Sequence, residues 1–381
     1  MIQSRETRIK SLDGLRGLAA VAVVATHLIM TFIPMLYMGR EARQSGSGWM
    51  DSVARSPLFV FYSGMFAVFV FFTLSGFVLA QSARKSSSSF VMLVGRRSLR
   101  IGIPVIASTA FAYLLLILLP HAAQDLAQYK HLDWLGKQYA YGAGSFRNMV
   151  YSSTLGWIIH GGSYYNLVLW TMQIELFGSL CIYAVFRVFP QKLWNLLLVC
   201  IAAALLWVFP YGSWTHIVPF ALGGLLAQAM EAGYLKPSRW GSIGVVGGLF
   251  LGGLPRAGSN GSLLEPVANI VRLVGSPYII ILSLGAVMLL AGIIKSNAAT
   301  HFLSRPVPAL IGRLSFPIYL LHFPMLGTIL AWTWFRFEVH TVVTSSIVLT
   351  SYFIALLFFS YLLERCVDEP VIRILSRPPW K

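Results

Sequence analysis

The amino-acid sequence predicts an all-α integral membrane protein with about ten transmembrane helices. Of its 381 residues, 57% are hydrophobic and only 11% are charged, and the mean hydropathy is +0.71. Several apolar segments of about twenty residues are long enough to cross a hydrocarbon layer of about 30 Å. The short alternating segments of a transmembrane β-barrel are not visible. The predicted spans cover residues 14–37, 58–80, 101–119, 166–189, 193–209, 214–230, 242–254, 273–294, 314–335 and 341–363.

The distribution of basic residues predicts that both termini lie in the cytoplasm. With the N-terminus inside, roughly two thirds of the 29 Lys and Arg residues fall in cytoplasmic segments, as the positive-inside rule requires. The net charge of +16 then indicates loops that face an anionic lipid leaflet. We therefore expect membrane lipid, and no nucleic acid, among the partners.

The sequence shows no internal repeat, and we expect a single polytopic domain over residues 1–381. The longest external connection, residues 120–165, is rich in tyrosine and tryptophan. These rings would either form an interfacial belt or offer a surface on which a sugar stacks. Within this connection, residues 149–162 are partly apolar and are consistent with a re-entrant or interfacial piece.

The first predicted span carries Asp13, Arg16 and His27 in an otherwise apolar segment. A charge inside a membrane helix costs several kcal/mol, so it is usually retained for function. Arg16 and His27 are about three helical turns apart, which places them on one helix face, roughly 16 Å apart along the axis. His27 would then lie near the middle of the membrane and act as a general base or nucleophile. The simpler alternative is a buried histidine bonded to a backbone carbonyl.

A second ionisable residue, Glu175, lies within the fourth predicted span at a depth similar to that of His27. A carboxylate there could orient and polarise a histidine, as in acid–base pairs. The alternative is a protonated carboxyl that hydrogen-bonds a neighbouring helix.

The ninth predicted span places Ser315, Tyr319 and His322 on one helix face, because their spacing is four and then three residues. Pro317 and Pro324 would free backbone carbonyls in the same segment. The three polar residues would either line a site or form a polar seam between helices. Together with His27 and Glu175 they predict one polar pocket at mid-membrane, an inference from depth alone.

Three arginines, Arg96, Arg97 and Arg100, are predicted to lie in a cytoplasmic loop. Clustered arginines favour phosphate binding through bidentate hydrogen bonds, although ordinary topology signalling also explains them. Beside Asp13 and Arg16 at the same membrane face, they would receive a phosphate-rich donor. No Walker loop, Rossmann fingerprint, Gly-x-Ser-x-Gly elbow or zinc-type Cys/His spacing occurs, and we expect no metal.

Five motifs in sequence order, and a closing Glu-Pro pair, resemble those of the membrane-bound acyltransferase 3 family. The resemblance extends over nearly the whole chain. The motifs are LDGLRGLAA at 12–20 with His27 downstream, FFTLSGFV at 71–78, RRSLRI at 96–101, LWTMQIE at 169–175 and SFPIYLLH at 315–322, and the closing pair is at 369–370. The chain ends soon after the last predicted helix, and we expect no fused extracytoplasmic esterase-like domain.

The resemblance implies an acyl-CoA-dependent O-acyltransferase of the bacterial inner (cytoplasmic) membrane. The donor would be a cytoplasmic acyl-CoA, most often acetyl-CoA. The acceptor would be a hydroxyl of an exopolysaccharide, O-antigen or other glycan, or sometimes of a lipid or small molecule. By resemblance, His27 is the catalytic candidate, supported by Glu175. Asp13, Arg16 and the three arginines of the RRSLRI motif are the donor-binding candidates.

Five further residues of these motifs are expected to line the substrate pocket, namely Ser75, Trp170, Ser315, Tyr319 and His322. The alternative function is a transporter or flippase for a glycan or a lipid-linked intermediate, in which buried His and Glu form a proton relay. The paired halves with broken helices that many transporters share are not visible here. A membrane sensor without catalysis is a third possibility, and turnover of a CoA thioester would separate the enzyme from both.

Overall fold

A computed structural model describes residues 5–38, 48–208, 212–254, 277–337, 339 and 341–376. The protein is all-helical, with 86% helix and no strand in this part of the chain. The predicted fold class is therefore confirmed at the level of secondary structure. The number of spans and the orientation of the termini stay predictions.

Twenty α-helices, labelled α1 to α20, follow one another along the described chain. They are Arg5–Phe32, Pro34–Met38, Trp49–Arg55, Gly64–Lys85, Phe90–Leu118, Ala122–Lys130, Asp133–Gln138, Phe146–Tyr151, Trp157–His160, Trp170–Val188, Trp194–Val208, Val218–Glu231, Trp240–Gly253, Pro277–Lys295, Asn297–Leu303, Pro306–Arg313, Ser315–Met325, Ala331–Arg336, Val342–Leu363 and Glu369–Ser376. Short 3-10 turns precede several of them, at Pro57–Tyr62, Leu167–Leu169, Gln191–Leu193 and Ser213–Ile217, and π-helical turns occur at Ser152–Gly156, Leu326–Leu330 and Glu364–Asp368.

Eight helical segments of the described chain are long and apolar enough to cross a membrane, and each overlaps one predicted span. They are Lys10–Phe32, Gly64–Lys85, Phe90–Leu118, Leu167–Val188, Gln191–Val208, Tyr278–Lys295, Ser315–Arg336 and Val342–Leu375. The other two predicted spans correspond to α12 and α13, which have 14 residues each. At 1.5 Å per residue such a helix is about 21 Å long, shorter than the hydrocarbon core.

The prediction of a basic loop at Arg96, Arg97 and Arg100 is wrong, because these residues lie inside α5, which begins at Phe90. Arginine and leucine are good helix formers, so the helix extends beyond the apolar stretch that hydropathy detects. Only residues 86–89 separate α4 from α5. The long connection at residues 120–165 likewise contains α6 to α9.

The helices form two compact units, each made of two chain segments. The first comprises residues 1–94 and 174–313, and the second residues 95–173 and 314–381. Within the first unit, α1 packs closely on α15 and α16 through glycines. A Cβ at Gly14 would run into the carbonyl of Leu303, and a Cβ at Gly17 into the backbone of Gly312. Helix backbones approach this closely only where small residues lie at the crossing.

Phe220 of α12 fills a second glycine-lined junction in the first unit. A Cβ at Gly76 of α4 would overlap the Phe220 carbonyl, and a Cβ at Gly178 of α10 would overlap its ring. The ring also stacks on Phe72, with centroids 5.1 Å apart. Phe220 is itself fully buried. One residue therefore packs closely on both helices, with its backbone on α4 and its ring on α10.

The second unit has an aromatic core in which Tyr139, Trp157, Tyr165 and Phe323 are buried. The Tyr139 and Phe323 rings stack at 6.1 Å. Burial, with a contribution from the neighbouring Tyr164, holds the pKa of the Tyr139 hydroxyl well above its ordinary value. These rings hold the segment between α5 and α10 in place, and they are neither an interfacial belt nor an open sugar surface.

A buried amide in the second unit compensates for a proline inside α17. Pro324 has no N–H, so the carbonyl of Leu320 lacks its usual donor four residues later. The Asn166 side chain donates to this carbonyl instead, at 2.7 Å. Asn166 is completely buried. The expectation that Pro324 frees a backbone carbonyl is confirmed.

Gly76→Ala is expected to destabilise the protein, whereas Gly102→Ala is expected to be neutral or stabilising. A Cβ at Gly76 meets a backbone carbonyl that cannot rotate away, and such overpacking costs about 1–3 kcal/mol. Gly102 of α5 has open space around it, and alanine favours a helix by up to about 1 kcal/mol. Thermal unfolding of the purified variants in one detergent measures the difference. Equal midpoints would refute the tight junction.

Asn166→Ala is expected to cost about 1–3 kcal/mol, because it leaves the Leu320 carbonyl buried without a donor. The cost should be smaller in a Pro324→Ala background, where residue 324 again supplies an N–H. Asn166 also accepts a bond from the backbone N–H of Val168, and the substitution removes this bond equally in both backgrounds. Equal costs in a double-mutant cycle of unfolding free energies would show that the amide does not substitute for the missing N–H.

Candidate active site

Helix α1 carries Asp13, Arg16 and His27 on one continuous helix, as the motif predicts. The separation of Arg16 and His27 along one face follows from this continuity. Asp13 and Arg16 are both half-buried. Asp13 precedes Gly14, and Arg16 lies between Gly14 and Gly17, the two glycines that contact α15 and α16. The first motif therefore combines polar residues with the small residues that allow the close crossing.

The His27 ring is oriented by its own helix. Its Nδ1 lies 3.2 Å from the carbonyl oxygen of Val23, and a carbonyl only accepts hydrogen bonds. Nδ1 is therefore the protonated nitrogen of the neutral ring, and Nε2 carries the lone pair. The Thr31 hydroxyl donates to the His27 carbonyl at 2.7 Å. The structure contains the bond to a backbone carbonyl that the simpler interpretation of the sequence expects. The same bond leaves Nε2 unprotonated, as a base or nucleophile requires.

The structure brings two predicted site residues of the first unit together. Ser75 of α4 donates from its Oγ to Oε1 of Glu175 on α10, over 2.6 Å. This length is normal for an O–H···O bond, and a bond to a neighbouring helix is what the simpler interpretation of Glu175 expects. Glu175 is 9% exposed. Glu175 is therefore a buried carboxyl group whose Oε1 has a defined hydrogen-bond partner in the first unit.

The second unit contains the other predicted pocket residues. On α17, Ser315, Tyr319 and His322 are all buried, as their common face predicts. The Tyr319 hydroxyl lies 2.8 Å from the Thr171 hydroxyl. The Nδ1 of His322 lies 2.7 Å from the Tyr319 carbonyl, so its neutral ring is also protonated at Nδ1.

The remaining candidates of the second unit are Trp170 and the three arginines. Trp170 is half-buried at the start of α10. Arg96 and Arg97 are partly exposed and Arg100 is exposed. On α5, Arg100 lies four residues from Arg96 and three from Arg97, so the three guanidinium groups share one side of the helix. A rigid helix therefore presents this basic cluster, rather than a loop.

Sequence reasoning missed three polar residues that surround α17. They are Asn166 and Thr171, described above, and Tyr352 of α19, whose hydroxyl donates to the His322 carbonyl at 2.8 Å. Asn166 lies three residues before the LWTMQIE motif and Thr171 lies within it, and an amide and a hydroxyl in an apolar stretch are a usable signal. Tyr352 carries no such signal, because tyrosine is common in membrane helices.

The described part of the chain contains no group of three or more His, Cys, Asp or Glu side chains arranged to hold a metal ion. Of the aromatic residues at 120–165, Tyr141 is 85% exposed, in contrast to the buried rings of the core. The Tyr164 hydroxyl, which donates to the Gly142 carbonyl at 2.7 Å, holds the turn that carries Tyr141. For the exposed rings, the lipid-facing and sugar-facing interpretations both remain predictions.

Comparison with known proteins identifies the family. No curated protein and no solved structure matches the chain. A family model described as an acyltransferase domain, Acyl_transf_3, matches residues 9–365, which is nearly the whole chain and includes the helices that carry His27, Ser75, Glu175 and His322. This confirms the resemblance that the five motifs indicate. The chain belongs to the acyltransferase 3 family and is a membrane acyltransferase.

Proposed function

We propose that the protein transfers an acyl group, most simply acetyl, from cytoplasmic acyl-CoA to a hydroxyl of a carbohydrate acceptor. An exopolysaccharide, an O-antigen or another envelope glycan would be the acceptor, and the bacterial inner membrane the location. Membership of the acyltransferase family supports the reaction class. The observation that carries the proposal is the orientation of His27, whose Nδ1 faces the Val23 carbonyl on a membrane helix and leaves the lone pair on Nε2.

In the proposed reaction, Nε2 of His27 removes the proton of the acceptor hydroxyl. The hydroxyl oxygen attacks the thioester carbonyl carbon and forms the new ester bond. The carbon–sulfur bond then breaks, and the CoA thiolate takes the proton from the imidazolium, so that CoA leaves as a thiol. A general base of this kind contributes roughly 10²–10⁴-fold to the rate. Direct transfer requires no acyl-enzyme, although Nε2 could also carry the acyl group transiently.

Glu175 is proposed to orient or charge-balance the histidine during this proton transfer. An imidazolium forms in the reaction, and a carboxylate stabilises a positive charge strongly where water is excluded. The buried, hydrogen-bonded position of Glu175 supports this role. Trp170, Ser315, Tyr319 and His322 are kept as candidates for contacts with the substrates.

Donor binding is proposed to use guanidinium groups, because CoA carries several phosphates. Arginine binds phosphate through two parallel hydrogen bonds, and a cluster on one helix side can engage more than one phosphate oxygen. Arg96, Arg97 and Arg100 supply such a cluster. Arg16, with Asp13 beside it on α1, is a further candidate.

His27→Ala is expected to lower the rate of acyl transfer by roughly 10²–10⁴-fold. The measurement is transfer of radiolabel from acetyl-CoA into the envelope glycan and lipid fractions of expressing membranes, at matched protein level. His301→Ala is the matched control, because His301 is an exposed histidine on α15. It should retain the activity of the unaltered protein.

Equal label from His27→Ala and from the unaltered protein would exclude His27 as the base. Absence of label from the unaltered protein, when a range of acyl-CoA donors and envelope fractions is supplied, would count against the acyl-CoA reaction and favour the transporter alternative.

Substitution of Arg96, Arg97 or Arg100 by alanine is expected to raise KM for acetyl-CoA, by roughly tenfold for each guanidinium group that binds a phosphate. The same variants should use acetyl-pantetheine, which lacks the nucleotide phosphates, as well as the unaltered protein does. Arg147→Ala serves as the control, because Arg147 is an exposed arginine outside this cluster. Steady-state kinetics with both donors measures the difference. Equal losses with both donors would show that these arginines do not recognise phosphate.

A further inference from the structure

The hydroxyl of Ser75 makes an unusual bond for a serine inside a helix. Such hydroxyls commonly donate to a carbonyl three or four residues earlier in their own helix. Ser108, Ser179 and Ser283 do so here, and the Ser179 hydroxyl donates to the backbone carbonyl of Glu175. Ser75 instead donates across to the Glu175 side chain on another helix. The Ser75 hydroxyl therefore helps to position the Glu175 side chain.

The geometry of this bond is fixed by the glycine-lined junction around Phe220. Gly76, next to Ser75, accommodates the Phe220 carbonyl, and Gly178, one turn beyond Glu175, accommodates the Phe220 ring. Thr73 of α4 lies against Gly223 of α12 in the same way. Since backbones packed this closely resist sliding, packing as well as the hydrogen bond holds Ser75 near Glu175.

We infer that Ser75 is a positioning residue for the acyl transfer proposed above, and that it acts through Glu175. An ionised carboxylate has only acceptor sites, and a buried one needs donors at a defined direction. Ser75 donates to Oε1 and thereby restrains the position of this oxygen. This role is more specific than that of a pocket-lining residue, and it rests on the proposed function of Glu175.

Ser75→Ala and Ser179→Ala form the test pair. Both substitutions remove a buried hydroxyl that donates to Glu175, one to its side chain and the other to its backbone. We expect Ser75→Ala to lower kcat by roughly 10- to 100-fold, the range for removal of a hydrogen bond to a charged group, with KM for acetyl-CoA unchanged. Ser179→Ala should keep kcat within about threefold of the unaltered protein, since its bond is between neutral groups. Ser75→Cys, of similar shape and with a weaker donor, should fall between Ser75→Ala and the unaltered protein.

A double-mutant cycle with Glu175→Gln separates positioning from general structural damage. If Ser75 acts through the carboxylate, Ser75→Ala should cause little further loss of kcat in a Glu175→Gln background. Thermal unfolding in detergent is measured for every variant alongside the initial rates with radiolabelled acetyl-CoA.

Three outcomes would overturn the inference. They are a kcat of Ser75→Ala equal to that of Ser179→Ala, independent multiplicative losses in the cycle, and a loss of activity that follows only the folded fraction. A failure of the proposed function is recognised separately, since the unaltered protein would then transfer no acetyl group, and the inference that rests on it would fall as well.

Discussion

The packing of Phe220 between two glycines is the constraint on which the first unit's candidate site depends. Its carbonyl and ring occupy the space that a Cβ at Gly76 or Gly178 would need, so α4 and α10 both pack closely on Phe220. In this arrangement the Ser75 hydroxyl meets the Glu175 carboxylate at 2.6 Å. Because a hydrogen bond weakens steeply with distance and angle, tight packing is what makes a single polar contact between membrane helices dependable.

The sequence motifs combine packing with chemistry in the same few residues. In the first motif, Gly14 and Gly17 allow α1 to approach other backbones, and Asp13 and Arg16 lie beside them. In the second motif, Ser75 carries the hydrogen bond while Gly76 admits Phe220. In both motifs a small residue lies next to a polar one. A polar group in a membrane interior needs a hydrogen-bond partner at short range, and small residues let the helices come close enough to supply it.

The second unit shows how a hydrogen-bond donor that a proline removes from a helix is replaced by a side chain. Pro324 removes a donor, and Asn166 replaces it at the Leu320 carbonyl. The carbonyl of His322, two residues further along, accepts a bond from Tyr352. These bonds surround a completely buried histidine. An unpaired carbonyl would be costly there, so the polar residues around α17 are needed for folding whatever further role they have.

The sequence by itself determined that the chain is a helical membrane protein, because a long apolar segment in lipid must pair its own backbone N–H and C=O groups, as a helix does. Its motifs also predicted the family. It also identified His27, Glu175 and His322 as polar residues in apolar surroundings. Hydropathy placed Arg96, Arg97 and Arg100 in a loop, because it detects the apolar stretch and does not detect where a helix ends. Only the tertiary structure decided that Ser75 donates a hydrogen bond to Glu175. These residues lie 100 positions apart, and their contact depends on how Phe220 packs, which no local pattern records.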